Sequence, residues 1–165
     1  MKNLTLTLII SIFILSTTVS CKKSNAINNG GFSCKVNGQL WEPYIDDFKL
    51  QPTECTFTKS NTSIFIKAKN TKKKENFAIL VSTPGKVISV GKYLLNSNIF
   101  LIGNYDKPNG DFITGDGYEG EIEIIKIDSS TKKMTGKFFF NCYDKQTKES
   151  VSVTEGEFNL RYSEY

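Results

Sequence analysis

Residues 133–143 read KMTGKFFFNCY. Met134, Gly136, Phe138, Phe140 and Cys142 are apolar or small, and they alternate with Lys133, Thr135, Lys137 and Asn141. A period of two places one set of side chains on one face of an extended strand. Just upstream, residues 120–128 read GEIEIIKID, in which Ile122 and Ile124 share one parity and Ile125 and Ile127 take the other. One extra residue restores a single buried face, so a β-bulge is expected near Ile124–Ile125. Downstream, Val151 and Val153 precede Phe158, Leu160 and Tyr162, with a second parity break at Glu155-Gly156.

The same alternation runs back towards the amino terminus. Phe32, Cys34 and Val36 lead to an Asn37-Gly38 turn, and Ile64, Ile66 and Ala68 alternate with Phe65, Lys67 and Lys69. Phe77, Ile79 and Val81 run to Thr83-Pro84-Gly85, and Phe100, Ile102 and Asn104 run towards Lys107-Pro108-Asn109-Gly110. Short strands separated by turn residues, with no sustained 3.6 period, predict an all-β domain. The expected architecture is an antiparallel β-sandwich or an up-and-down, barrel-like meander.

Composition narrows the chemistry. The 165-residue chain has no His, which removes His-dependent nucleophile systems, His-ligated zinc and imidazole bases. Its net charge is +4, and Arg161 is the one arginine among 21 cationic side chains. Scattered lysines without clustered arginine do not point to nucleic acid.

Residues 1–21 read MKNLTLTLIISIFILSTTVSC. Lys2 precedes an apolar stretch from Leu4 to Leu15, shorter than the roughly 20 residues that span a bilayer. Thr18-Val19-Ser20-Cys21 then resembles the lipobox of bacterial lipoproteins, which implies acylation of Cys21 and cleavage before it. The expected organisation is a signal peptide over residues 1–20, an acylated Cys21 with a flexible tether over 21–31, and one β-domain over 32–165. The tether KKSNAINNGG has a random-coil reach of roughly 17 Å.

The domain itself resembles a family of small Bacteroidota lipoproteins of unknown function. The stretch from Phe32 to Trp41, FSCKVNGQLW, is similar to that family's F-x-A-x-V-N-G-x-x-W opening. Val90-Gly91-Lys92-Tyr93, residues 121–125, Gly136-Lys137-Phe138-Phe139-Phe140 and Gly156-Glu157-Phe158 follow in the family's order. The resemblance implies a β-rich lipoprotein domain and assigns no catalytic residues. In such lipoproteins acids just after the Cys accompany surface export. Lys22-Lys23-Ser24-Asn25 has none, so an outer-membrane anchor facing the periplasm is expected.

Three groups of residues are site candidates. Cys34, Cys55 and Cys142 lie in an exported chain, where a disulfide is expected, either Cys34–Cys142 or its rival Cys34–Cys55. The bland alternative is three buried thiols packed as small hydrophobes. Asp106, Asp111, Asp116, Glu119, Glu121 and Glu123 crowd one region, but their spacing does not match the calcium-loop pattern, so no metal is expected. They also offer carboxylate pairs of the glycosidase type, as does Asp46-Asp47. Solvated acids are the commoner meaning of such pairs, so no enzyme and no cofactor are expected. Phe65, Phe139 and Tyr143 fall on the polar parity of their strands, the pattern either of an exposed partner, sugar or lipid surface or of a core that buries both faces locally, whereas Trp41 reads as a core plug.

These observations predict a lipid-anchored cell-envelope lipoprotein whose β-domain binds or scaffolds a protein or glycan partner. The alternative is a lipocalin-like carrier of an apolar small molecule. A carrier requires a roomy apolar cavity, and a scaffold requires a filled interior.

Overall fold

Asn37 and Gly38 both take positive φ, 48° and 80°, the requirement of a tight two-residue hairpin turn. They fold β1 (Phe32–Val36) onto β2 (Gln39–Trp41), with Val36 opposite Gln39. These open a computed structural model that describes residues 31–47, 49–96, 100–115 and 117–165. Then come β3 (Thr53–Phe57), β4 (Ser63–Asn70), β5 (Glu75–Ser82), β6 (Gly91–Leu95) and β7 (Leu101–Lys107). They are followed by β8 (Gly110–Ile113), β9 (Gly120–Asp128), β10 (Lys133–Tyr143), β11 (Ser150–Arg161) and β12 (Ser163–Glu164). No helix occurs among the described residues, and the domain is all-β. The leader, Cys21, the tether up to residue 30 and Asp116 lie outside the described residues.

The strands form one large sheet in the order β12-β3-β4-β5-β7-β8-β10-β11-β1-β2. β9 also pairs with β10, and β6 with β9. β12 and β3 are parallel, whereas the neighbouring β3–β4, β4–β5 and β10–β11 pairs are antiparallel. The sheet is not closed by a continuous ladder, which fits a sandwich-like meander. It doubles over on its apolar face. Phe77 on β5 meets Phe32 on β1 at 5.8 Å between ring centroids, and Trp41 on β2 at 4.6 Å. Phe57 on β3 meets Tyr162 at 5.4 Å across the other seam.

Both expected parity breaks are present. Thr135 faces Lys126 while Gly136 faces Ile124, so Ile125 is the extra residue and turns outward. On β11, Phe138 faces Gly156 and Phe140 faces Val153, leaving Thr154 and Glu155 against Phe139. Glu155 takes φ 50° to do so. Each bulge lets one long strand keep its apolar side chains on the buried face.

β7 corrects a sequence expectation. Gly103 and Tyr105 face inward, whereas Ile102 and Asn104 are half-buried and Phe100 stays partly exposed. The Phe140 ring explains this reversal. It fills the space in front of Gly103, where a Cβ would come within 2.9 Å of it. The inward face of β7 therefore carries a glycine and a tyrosine, and its outward face looks the more apolar.

The same device recurs at Gly136, where a Cβ would lie 2.4 Å from the Phe158 ring and against the Glu123 carbonyl. Neither the buried ring nor the backbone can withdraw cheaply. Gly136→Ala is expected to destabilise the domain by about 3 kcal/mol, read as a lower urea midpoint. An unchanged midpoint would show that β9 and β10 can part at this point.

Candidate functional site

The aromatic residues on the inner face leave little room inside. Phe32, Trp41, Phe77, Phe112 and Phe140 are each at most 1% exposed. The Phe138 and Phe32 ring centroids lie 5.1 Å apart, and those of Tyr105 and Phe77 4.8 Å, both pairs tilted. Trp41 is the core plug that its sequence context suggests. Its indole Nε1 donates to the Glu75 carboxylate at 2.6 Å, which satisfies the one polar atom the ring carries inward. Burial raises the Tyr105 hydroxyl above its ordinary range, and the charge of Glu75 raises it further.

The expected disulfide is absent, since Cys34, Cys55 and Cys142 are all free and buried. β1 and β10 lie on opposite edges of β11, so Cys34 and Cys142 are two strands apart. At about 4.8 Å per strand that exceeds the roughly 7 Å limit on Cα separation for a bond. Cys55 sits on β3 between β4 and β12, with no ladder to β1. Burial pushes the Cys55 and Cys142 thiols up to about 12 and raises Cys34 as well. They pack as small hydrophobes, with Cys142 Sγ directed at the Val151 carbonyl at 3.5 Å.

Of the crowded acids, the structure brings together Asp106 and Asp111. They face each other across the β7–β8 hairpin, and Asn104 Nδ2 donates to Asp111 Oδ1 at 2.6 Å. Desolvation, followed by the hydrogen bond and charge of Asp111, pushes the Asp106 carboxyl up to about 6. The two carboxyls lie within hydrogen-bonding reach of each other. Glycoside hydrolysis instead separates its pair by about 5 Å or more, to admit the sugar.

The other acids go elsewhere. Glu121 pairs with Lys92 at 2.9 Å, and Glu123 sits between Lys92 and Lys137 on the outer face. Asp46 accepts from the Thr71 hydroxyl and Asp47 from the Lys49 amide, as turn residues do. Among the described residues no group of three or more Cys, Asp or Glu side chains is placed to hold a metal.

Two open cavities meet at Asp106. One, of about 410 Å³, runs over the outer face of β3, β4 and β5 past Lys67, Lys69 and Asn76. The other, of about 1010 Å³, lies between the β7–β8 hairpin and the β10–β11 connection. Its rim includes Asp111, Asn109, Tyr143 and Gln146. Tyr143 is an outward aromatic, as its parity predicts, and stacks on Tyr118 at 5.0 Å with planes 13° apart. Phe139 is 50% exposed, and Phe65 lies beneath the Lys67 ammonium at 4.6 Å.

Sequence reasoning misses Asp144, which joins the two walls of the larger cavity. Burial works to raise its carboxyl, but the backbone N–H groups of Asp111, Gln146 and Thr147 outweigh this and hold it below its usual range. Those bonds measure 2.9, 2.6 and 3.1 Å. The Asp-Lys-Gln-Thr stretch directly after a long strand was the available signal, since Asp there caps a turn.

Residues 28–160 match the model of a family described as a domain of unknown function, DUF6252. The chain belongs to this family. Membership agrees with the resemblance to an uncharacterised family. The DUF6252 span contains Asp106, Asp111 and Asp144 and stops short of β12. No curated protein and no solved structure matches the chain.

Two measurements check this site. The folded state holds the Asp106 proton more tightly than the unfolded chain does. The stability that Asp106 contributes is therefore fully present below the ordinary carboxyl range and is lost as pH rises through about 6. Asp106→Asn is expected to remove that slope and gain about 1 kcal/mol at pH 8, the full linkage being reduced by solvent around the pair. An unchanged slope between pH 5 and 8 would place the titration elsewhere. Thiol counting without reductant should find Cys34, Cys55 and Cys142 unreactive in the folded protein and all three reactive after denaturation. A missing pair after denaturation would restore the disulfide.

Proposed function

We propose that this protein is a lipid-anchored cell-envelope lipoprotein whose β-domain binds or scaffolds a protein or glycan partner, without chemistry of its own. Acylated Cys21 fixes it on the outer membrane, facing the periplasm, and residues 22–31 link that anchor to the domain. The lipobox-like Thr18-Val19-Ser20-Cys21 supports the anchor. One observation favours surface binding over carriage of an apolar molecule. The inner face is filled by Phe32, Trp41, Phe77, Phe138 and Phe140, while both cavities open on the outside and meet at polar Asp106. A carrier places its ligand where these rings lie.

The anchor is tested with Cys21→Ala in the producing cell. The variant is expected to lose labelling by an alkyne fatty acid and to lose cleavage before residue 21. Retained label would overturn the anchored reading.

A further inference from the structure

The point where the tether joins the domain has a defined place in the sheet. The Asn159 amide donates to the Gly31 carbonyl at 2.6 Å, Asn159 faces Thr135, and Thr135 faces Lys126. Beside Lys126 is the bulged Ile125, and Gly91 on β6 faces Ile124, which brings Val90 onto the same line. Gly31, Ile125 and Val90 therefore lie along one transverse row at one end of the sheet. At about 4.8 Å per strand the row is about 19 Å long.

The loops of that end are bonded to one another. Ile88 N–H donates to the Asn61 carbonyl at 2.7 Å, Thr83 N–H to Thr62 at 2.8 Å, and Ser82 N–H to Phe100 at 2.6 Å. Tyr162 N–H donates to the Lys132 carbonyl at 2.8 Å, and Lys59 N–H to Tyr165 at 3.2 Å. This end exposes Val87 at 66%, Val90 at 60% and Ile125 at 46%, with Phe100 partly exposed beside them.

Its charge is one-sided. Lys59, Lys86, Lys126, Lys132, Lys133 and Arg161 stand against the carboxylates Asp128 and Glu164. Both acids are engaged locally. Asp128 binds Lys126 at 3.3 Å and accepts from the Ser130 hydroxyl and the Ser130 and Thr131 amides. Glu164 binds Lys132 at 2.6 Å. The remaining four cations and the exposed valines and isoleucine suit a surface that is both apolar and anionic. Asp106, Asp111 and Asp144 lie at the opposite end, around the β7–β8 hairpin.

We propose that the tether-bearing end of the domain is a bilayer-facing surface. Val87, Val90 and Ile125 enter the boundary between headgroups and acyl chains, and Lys59, Lys86, Lys133 and Arg161 meet anionic headgroups. This rests on the anchored reading, because ten residues link Cys21 to the domain and the last of them, Gly31, lies at this end. Docking there turns the two cavities and the Asp106–Asp111 pair away from the membrane.

Fluorophores on Val90→Cys and Asn109→Cys test this in the full chain, purified from membranes and reconstituted in vesicles of phosphatidylglycerol and phosphatidylcholine that contain brominated lipid. The three buried, protonated thiols do not compete for label. Quenching at position 90 is expected to exceed that at 109 by about threefold or more. The difference should collapse in phosphatidylcholine alone and in a Lys86→Glu, Lys133→Glu, Arg161→Glu background. Equal quenching at the two positions with the chain retained on the vesicles overturns the orientation alone. A difference that persists in phosphatidylcholine alone overturns the recognition of anionic headgroups. Release of the chain into solution overturns the anchored reading and this surface with it.

Discussion

Phe140 is fully buried, and its ring and backbone occupy the positions that a Cβ at Gly103 or at Gly120 would need. Phe158 stands in the same relation to Gly136, and Phe138 to Gly156. In each case a bulky ring sits against backbone stripped of its side chain, so strands can approach without opening a void. Protein interiors tolerate neither gaps nor overlap of even one methyl group at modest cost. The doubled-over sheet depends on this matching of large against absent. It brings Phe77 within ring contact of Phe32 and Trp41 from strands far apart in the sheet order. It also fills the inner face and leaves the open volumes on the outside.

Much of this was legible because a strand with one wet face must alternate. The breaks at Ile125 and Glu155 could be located from parity alone, since only an added residue reconciles the two halves of each strand. The Asn37-Gly38 hairpin was legible for a similar reason, because few residue pairs accept positive φ twice. β7 was misread because its inward positions hold Gly103, and a glycine that makes room for a distant ring carries no hydrophobic signal. The disulfide failed on register. Shared parity places two cysteines on one face but says nothing about how many strands separate them.

The acids show where sequence reasoning about a site ends. Six of them crowd one region, yet pairing brings Asp106 and Asp111 into one contact and sends Glu121 and Glu123 to a lysine ladder. Which carboxylates meet is set by the hairpin register, and that register is set by the buried Tyr105–Phe112 pair on the opposite face. Asp144 was hidden for another reason. Its partners are backbone amides, which every sequence has and no composition reveals.

The pairing of β1 with β11 also governs the order of events during folding. Lys35 and Glu155 form an ion pair at 2.7 Å although 120 positions separate them, and β3 is flanked by β12 from the last residues described. Hairpins such as β4–β5 can form early, but β1 must wait until β11 is available. Topologies dominated by such distant contacts fold slowly. In a chain made amino terminus first, the β1–β2 hairpin therefore lacks its neighbour β11 until nearly the whole domain has been synthesised.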